Sequence, residues 1–218
     1  KIICSLRIPF IFALSIAGLA WALQTGKSLQ APIGLFLGAW LLSGAFADLL
    51  LRTGRAKDFR RLLRAPRSEW GKFISHSGFG ISIIAIAGLL AWAKEDIRAL
   101  RMGETWTIGA YDMTLRDVRR HTGPNYHAYV ADVEMRKNGR LISIVQPEKR
   151  FYPVAKMPTT EAGIDYRILR DVYIVLGDRQ EDGRWTVRSY IKPLANWIWV
   201  GSILMAFGGL ISLSDRRL

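Results

Sequence analysis

The chain has 218 residues; half are hydrophobic, yet the formal net charge is +13, a pairing that a soluble globular domain rarely shows. Between Lys94 and Pro193 the charges nearly balance, with 18 Lys/Arg against 14 Asp/Glu, so the basic excess lies among the apolar blocks that flank this region. No basic stripe with interleaved aromatics is left for nucleic acid to follow, and no nucleic-acid partner is expected.

The first apolar block, residues 8–24, approaches the ~20 residues that span a hydrocarbon core. It is the shortest block, with Pro9 near its start, where a helix tolerates proline. No small-residue cleavage site follows it, so it reads as an anchor and not as a signal peptide. The chain begins with Lys1 and reads as the C-terminal piece of something larger. Cys4 is the only cysteine, so no disulfide can form within the chain. The second block, 31–51, ends near Asp48, read as an interfacial polar residue. The connection 52–72 then carries Arg52, Arg55, Lys57, Arg60, Arg61, Arg64, Arg67 and Lys72 against only Asp58 and Glu69. Such a cluster marks the cytoplasmic side, which also places Lys1, Arg7, Arg216 and Arg217 inside. Trp21, Trp70, Trp92, Trp197 and Trp199 stand at the edges of the blocks, as interfacial tryptophans do.

The third block, 73–93, contains His76. Ionisable residues within spans are costly and mark function, and a neutral imidazole is a common ligand of metals and haem iron. A histidine hydrogen-bonded to a neighbouring helix is the other reading, and residue types alone favour it. Ser75, Gly78, Ser82 and Ala85 follow helical spacing and give a small-residue face that a second helix or a flat macrocycle could approach closely.

From Thr105 the apolar period becomes that of strands. Tyr129, Ala131, Val133 and Met135 alternate with polar neighbours, and Asn138-Gly139 predicts a type I′ hairpin turn into Leu141–Val145. Val172–Leu176 and Trp185–Ile191 suggest a second pairing, with shorter strands at Thr105–Ile108 and Tyr111–Val118 and a helix only near Thr160–Ile164. His121 and His127 flank a turn and could both ligate a metal, but paired surface histidines are more often simply solvated. Pro147 and Pro153 bracket a loop whose Lys149, Arg150, Phe151 and Tyr152 could dock a partner or an anionic group, or pack on the domain. The fourth block, 194–213, leads to a short tail. The fold expected is a membrane protein of about four transmembrane α-helices (8–24, 31–51, 73–93 and 194–213) with one small all-β domain, barrel- or sandwich-like. That domain, 94–193, is inserted between helices three and four and faces the periplasm. It divides 1–93, with its basic cytoplasmic loop 52–72, from 194–218.

Several motifs in one order resemble the C-terminal third of the CcmF family. They are Ser68-Glu69-Trp70-Gly71 followed by His76-Ser77-Gly78, then Gly123-Pro124-Asn125-Tyr126, the segment Pro147–Pro153, Thr160-Glu161-Ala162 and Arg170-Asp171-Val172-Tyr173. Lys192-Pro193, Trp197-Ile198-Trp199, Gly208-Gly209 and Asp215-Arg216-Arg217 complete the series. The resemblance implies part of a cytochrome c haem lyase of the bacterial inner membrane, joining haem to the CxxCH cysteines of apocytochrome c. Its implied partners are the haem chaperone CcmE, CcmH, apocytochrome c, the upstream part of CcmF and membrane lipid. It also implies a b-type haem with His76 as one axial ligand. The family's tryptophan-rich haem-handling segment, its external haem-ligating histidines and its other transmembrane histidine have no counterpart here, so this portion alone is not expected to be a complete enzyme. The alternative is a non-catalytic membrane anchor that docks the partners of a periplasmic assembly complex.

Overall fold

The computed structural model describes residues 2–25, 28–52 and 64–215, with the side chains of residues 2–5 left aside. Much of the basic loop, together with Lys1, Arg216 and Arg217, lies outside the described residues. The chain forms two compact units, residues 1–92 with 193–218, and residues 93–192.

The first unit is helical: α1 (Ile2–Leu23), α2 (Gln30–Arg52), α3 (Arg67–Trp92) and α4 (Ala195–Leu213). All four helices are long and apolar enough to cross a membrane. Because α1 starts at Ile2, Pro9 sits inside the helix and not at its first turn. Its ring leaves one carbonyl without an intrahelical donor.

Lipid supplies little hydrophobic drive for helix association, so close packing and interhelical hydrogen bonds do the work. The small-residue face of α3 meets α4. A Cβ on Gly78 would lie 2.5 Å from the carbonyl oxygen of Gly201, and one on Gly71 would lie 2.6 Å from the Ser212 amide. Ser75 Oγ donates to the Met205 carbonyl at 3.1 Å and Ser82 Oγ to that of Ile198 at 3.2 Å. The neighbour this face admits is therefore a helix and not a macrocycle. On another side of α3, Gly80 packs against Gly38 of α2, where a Cβ would meet the Gly38 carbonyl at 3.0 Å.

At one end of the α2–α3 pair, four charges close a ring. Lys72 Nζ lies 2.5 Å from Asp48 and 3.0 Å from Glu69, while Arg52 reaches the same two carboxylates at 3.0 and 3.1 Å. Asp215 accepts the Ser68 amide at 2.9 Å, satisfying one donor of the first turn of α3.

The second unit holds ten strands. These are β1 (Lys94–Leu100), β2 (Thr105–Ile108), β3 (Tyr111–Thr122), β4 (His127–Lys137), β5 (Arg140–Val145), β6 (Glu148–Tyr152), β7 (Met157–Glu161), β8 (Gly163–Tyr166), β9 (Arg170–Arg179) and β10 (Trp185–Pro193). One sheet runs β1-β10-β9-β8, the other β2-β3-β4-β6-β7 with β5 also on β4. Alternate residues of both bury a shared core: Trp106, Met113, Leu115, Val133 and Met135 from one sheet, Val172, Ile174, Leu176, Trp185 and Val187 from the other. Period-two burial on opposed sheets makes this a sandwich. Asn138 and Gly139 have φ of 51° and 75°, the positive pair that the predicted hairpin turn requires.

Two local expectations are corrected. Residues 160–164 are not helical: β7 ends at Glu161, β8 starts at Gly163, and the chain changes sheets at Ala162, since β7 pairs with β6 and β8 with β9. The change of sheet brings Gly163 against Pro147, where a Cβ would lie 2.8 Å from the proline nitrogen. The segment between Pro147 and Pro153 is likewise no loop. Glu148–Tyr152 pairs with β4 on one side and β7 on the other, because the two prolines stand just outside the ladder and remove no donor from it.

Candidate functional site

The small-residue face of α3 is filled by α4, whereas His76, one position beyond Ser75, is exposed on the surface of the helical unit. Its Nδ1 lies 2.8 Å from the carbonyl oxygen of Lys72, one turn earlier. A carbonyl can only accept, so in the neutral ring this bond needs the proton on Nδ1, which leaves the lone pair on Nε2. Hydrogen bonds of this kind fix the tautomer of metal-binding histidines.

His76 lines a groove of about 600 Å³ between α2 and α3, reached also by Leu6 of α1. Leu37, Trp40, Leu41, Phe73, Phe79 and Ile83 supply apolar walls, and Gly44 and Ala45 a floor without bulk. Phe10 meets the rings of Phe36 and Trp40 edge-on, with centroids 5.5 and 6.0 Å away. Asp48 and Lys72 stand at the charged end, but both are committed to the ion-pair ring. Within this groove the imidazole is the group left able to take a ligand. No other histidine lies in the helical unit, since the remaining two of the chain are His121 and His127. The structure thus places one imidazole nitrogen on an apolar groove of a size that suits a small organic molecule.

The proposed docking residues lie in the β unit. Lys149 is ion-paired to Asp178. Arg150 donates to Glu148 at 2.8 Å and lies 3.6 Å from Glu161. Its guanidinium also covers the Tyr126 ring at 4.6 Å. The bond to Glu148 holds that guanidinium above its ordinary pKa. Tyr152 packs on Tyr126 with ring centroids 5.6 Å apart, and Phe151 is exposed. Arg150 and Tyr152 are therefore partly structural, and Phe151 is the free apolar contact. His121 faces Tyr126 at 6.2 Å, and His127 Nδ1 lies 3.4 Å from Thr122 Oγ1 across the β3–β4 ladder. Among the described residues no group of three or more His, Cys, Asp or Glu side chains is arranged to hold a metal.

Lys149, Arg150, Phe151 and both histidines border one cavity of about 640 Å³ that also takes in Arg120, Arg179 and Trp185. Sequence reasoning did not single out Arg120 or Arg179. They lie on β3 and β9, far from 149–152 in the chain, and only the pairing of β3 with β4 and the opposition of the sheets bring them together. The Arg170-Asp171-Val172-Tyr173 motif is architectural. Arg170 reaches Asp165 at 2.5 Å and the Tyr111 hydroxyl at 2.8 Å, and Asp171 is fully buried.

Comparison with known proteins places these features. Residues 91–193 match the family model described as the CcmF C-terminal beta-sandwich. The chain is 46% identical over its whole length to the cytochrome c-type biogenesis protein ccl1 of Rhodobacter capsulatus, covering 33% of it. It is 35% identical to CcmF of Escherichia coli over 97% of the chain and 32% of that protein. A solved structure titled cytochrome c heme lyase CcmF superposes with a TM-score of 0.72 at 23% identity, over 95% of this chain and 34% of that one. The chain spans about a third of the length of the curated relatives it matches.

Proposed function

Because the chain belongs with the C-terminal part of the CcmF-type cytochrome c biogenesis proteins, we propose that it forms part of a haem lyase and supplies one axial ligand, His76, to a b-type haem in the membrane. The observation that carries this reading is the His76 imidazole, held by Lys72 in the tautomer that leaves Nε2 free and open to an apolar groove. One imidazole nitrogen between aromatic walls fits a group that takes an axial histidine. Such a haem would supply electron transfer, reducing the haem to be attached. This chain's part is to present Nε2 and to exclude water with Trp40, Phe73 and Phe79. In this reading the second axial ligand and the substrate-haem ligands come from outside this chain.

In this reading the multi-pass chain lies in the bacterial inner membrane with its β unit in the periplasm, oriented by the basic residues around 52–72. Haem from CcmE and apocytochrome c presented by CcmH would meet there. The test is spectroscopic. The intact complex carrying His76→Ala should lose the reduced-minus-oxidised haem b signal, and a spectrum unchanged from wild type would overturn the ligand assignment.

A second role is compatible with the first. Phe151, 45% exposed beside the basic cavity, favours partner docking by the β unit. A photocrosslinker at Tyr152 in cells should capture CcmH, CcmE or apocytochrome; contacts with lipid or self alone would refute docking through this strand.

A further inference from the structure

We propose that the turn between β8 and β9 is a membrane-surface anchor, with Ile168 and Leu169 at its tip entering the headgroup boundary of a lipid bilayer. The inference goes beyond the haem and docking roles and depends on neither.

The turn is firmly built, and its tip is apolar. The Arg167 amide donates to the Arg170 carbonyl at 3.0 Å and lies 3.3 Å from Asp171 Oδ1. The guanidiniums of Arg167 and Arg170 both reach the buried Asp165 carboxylate, at 3.2 and 2.5 Å, so charge holds the base of the turn. The two residues between these arginines, Ile168 and Leu169, are 77% and 66% exposed, and Tyr166 just before them is 62% exposed. Turn tips ordinarily take Gly, Pro, Asn, Asp or Ser, each for a backbone reason that isoleucine and leucine do not meet. An apolar cluster left in the open with charge around it marks a surface that meets lipid or another protein.

The path of the chain selects lipid. Along the sheet β1-β10-β9-β8, Lys94 pairs with Ile191, and Lys192 Nζ covers the Tyr173 ring at 4.2 Å. The start of β1, the end of β10 and the start of β9 therefore share one end of the sandwich, and the turn that leads into β9 lies there with them. Only Ala93 separates Lys94 from α3, and only Leu194 separates Pro193 from α4. A single residue reaches about 3.6 Å at most, and both helices have the length and composition of spans. A bilayer surface thus stands at this end of the sandwich at whatever angle the β unit is held. The side chains near the turn suit that surface. Tyr111, whose hydroxyl accepts from Arg170 at 2.8 Å, and Tyr166 are amphipathic rings of the kind that settle at headgroup level. Lys137, over the Tyr111 ring at 5.8 Å, and Lys192 combine apolar stems with cationic heads that lipid phosphates can pair.

The opposite end supplies the control. Val154 follows β6, whose Phe151 pairs with His127 at the start of β4, whereas Lys137, which covers Tyr111, ends that strand. Val154 is the more exposed of the two apolar sites, at 96%, but it lies away from the end that continues into the spans.

The test uses the full chain with Cys4→Ser, carrying Leu169→Cys or Val154→Cys labelled with the environment-sensitive dye NBD, in nanodiscs of phosphatidylcholine and phosphatidylglycerol. The dye at 169 should emit to the blue of the dye at 154. Phosphatidylcholine bearing a nitroxide near the head of its acyl chain should quench it at least about twofold more than the dye at 154, because interfacial apolar groups sit about 5–10 Å into the headgroup boundary. Adding Ile168→Glu should return the 169 signal toward that of 154. Equal emission and quenching at the two sites would overturn the inference. A blue-shifted dye at 169 that the lipid nitroxide does not quench would overturn it too, showing the tip to be covered by protein. Haem content and crosslinking from Tyr152 are not read in this test, so its failure leaves both earlier roles standing.

Discussion

Gly208 of α4 lies so close to Gly71 of α3 that a Cβ on Gly208 would stand 2.6 Å from the Gly71 carbonyl oxygen and 2.5 Å from Ser75 Oγ. Its chain neighbour Gly209 has nothing within 4 Å of the same position. Gly208→Ala should therefore lower the stability of the helical unit by about 1–3 kcal/mol through overpacking against backbone that cannot yield. Gly209→Ala should be neutral or stabilising by up to about 1 kcal/mol, since alanine is the better helix former. Thermal melts of the two variants in one detergent decide it, and equal melting temperatures would contradict the packing.

Gly44 offers a way to fill the groove without altering the proposed ligand, His76. It lines the groove, and a Cβ there would meet nothing within 4 Å. Gly44→Ala should leave haem content unchanged, whereas Gly44→Phe should remove most of the haem b, measured as haem per polypeptide in the intact complex. The β unit has its own core, so its melting transition should stay where it is in both variants.

Much of this fold is legible in the chain because lipid demands long uninterrupted apolar runs, and because Asn138-Gly139 accepts two positive φ values that few dipeptides allow. The neighbour of a face is less legible. Ser75 and His76 are adjacent in sequence, but helical rotation turns one to α4 and the other to the α2 groove. No periodicity in α3 alone tells which face a helix will cover. Pro147 and Pro153 signal a break when taken singly, yet they bracket a strand. Thr160-Glu161-Ala162 suits a helix by composition, but the pairing of β7 and β8 with different sheets overrides that local preference. Arg120 and Arg179 leave no local signal, since their relation exists only once two sheets are assembled.

The buried Glu134 makes a prediction about pH. Arg136 and Arg116 both donate to its carboxylate, at distances from 2.6 to 3.3 Å, and hold its pKa below the ordinary 4.5, the Arg136 bond first. A depressed native pKa means that the unfolded chain binds the proton more readily. The contribution is complete above 4.5 and is lost as pH falls through the lower native value. Wild type should thus lose more melting temperature between about pH 6 and about pH 3 than Glu134→Gln does, because the variant has no proton to take up there. Parallel pH profiles, followed by fluorescence of the β unit's buried tryptophans, would show that the pair of arginines contributes nothing at this site.

The corner at Gly163 tests whether the change of sheet, on which the basic cavity depends, is set by close contact. A Cβ there would meet the Pro147 nitrogen at 2.8 Å and the Gln146 amide nitrogen at 2.9 Å, and the Pro147 carbonyl is fixed in turn by the Ala131 amide at 3.0 Å. Backbone on both sides leaves the added methyl nowhere to go. Gly163→Ala should destabilise the β unit by about 1–3 kcal/mol. Gly139→Ala is the useful contrast: its positive φ of 75° makes alanine strained, but nothing lies within 4 Å of its Cβ position. It should lower stability through backbone strain alone. If Gly163→Ala melts like wild type, close packing at this corner is not what turns the chain from one sheet to the other.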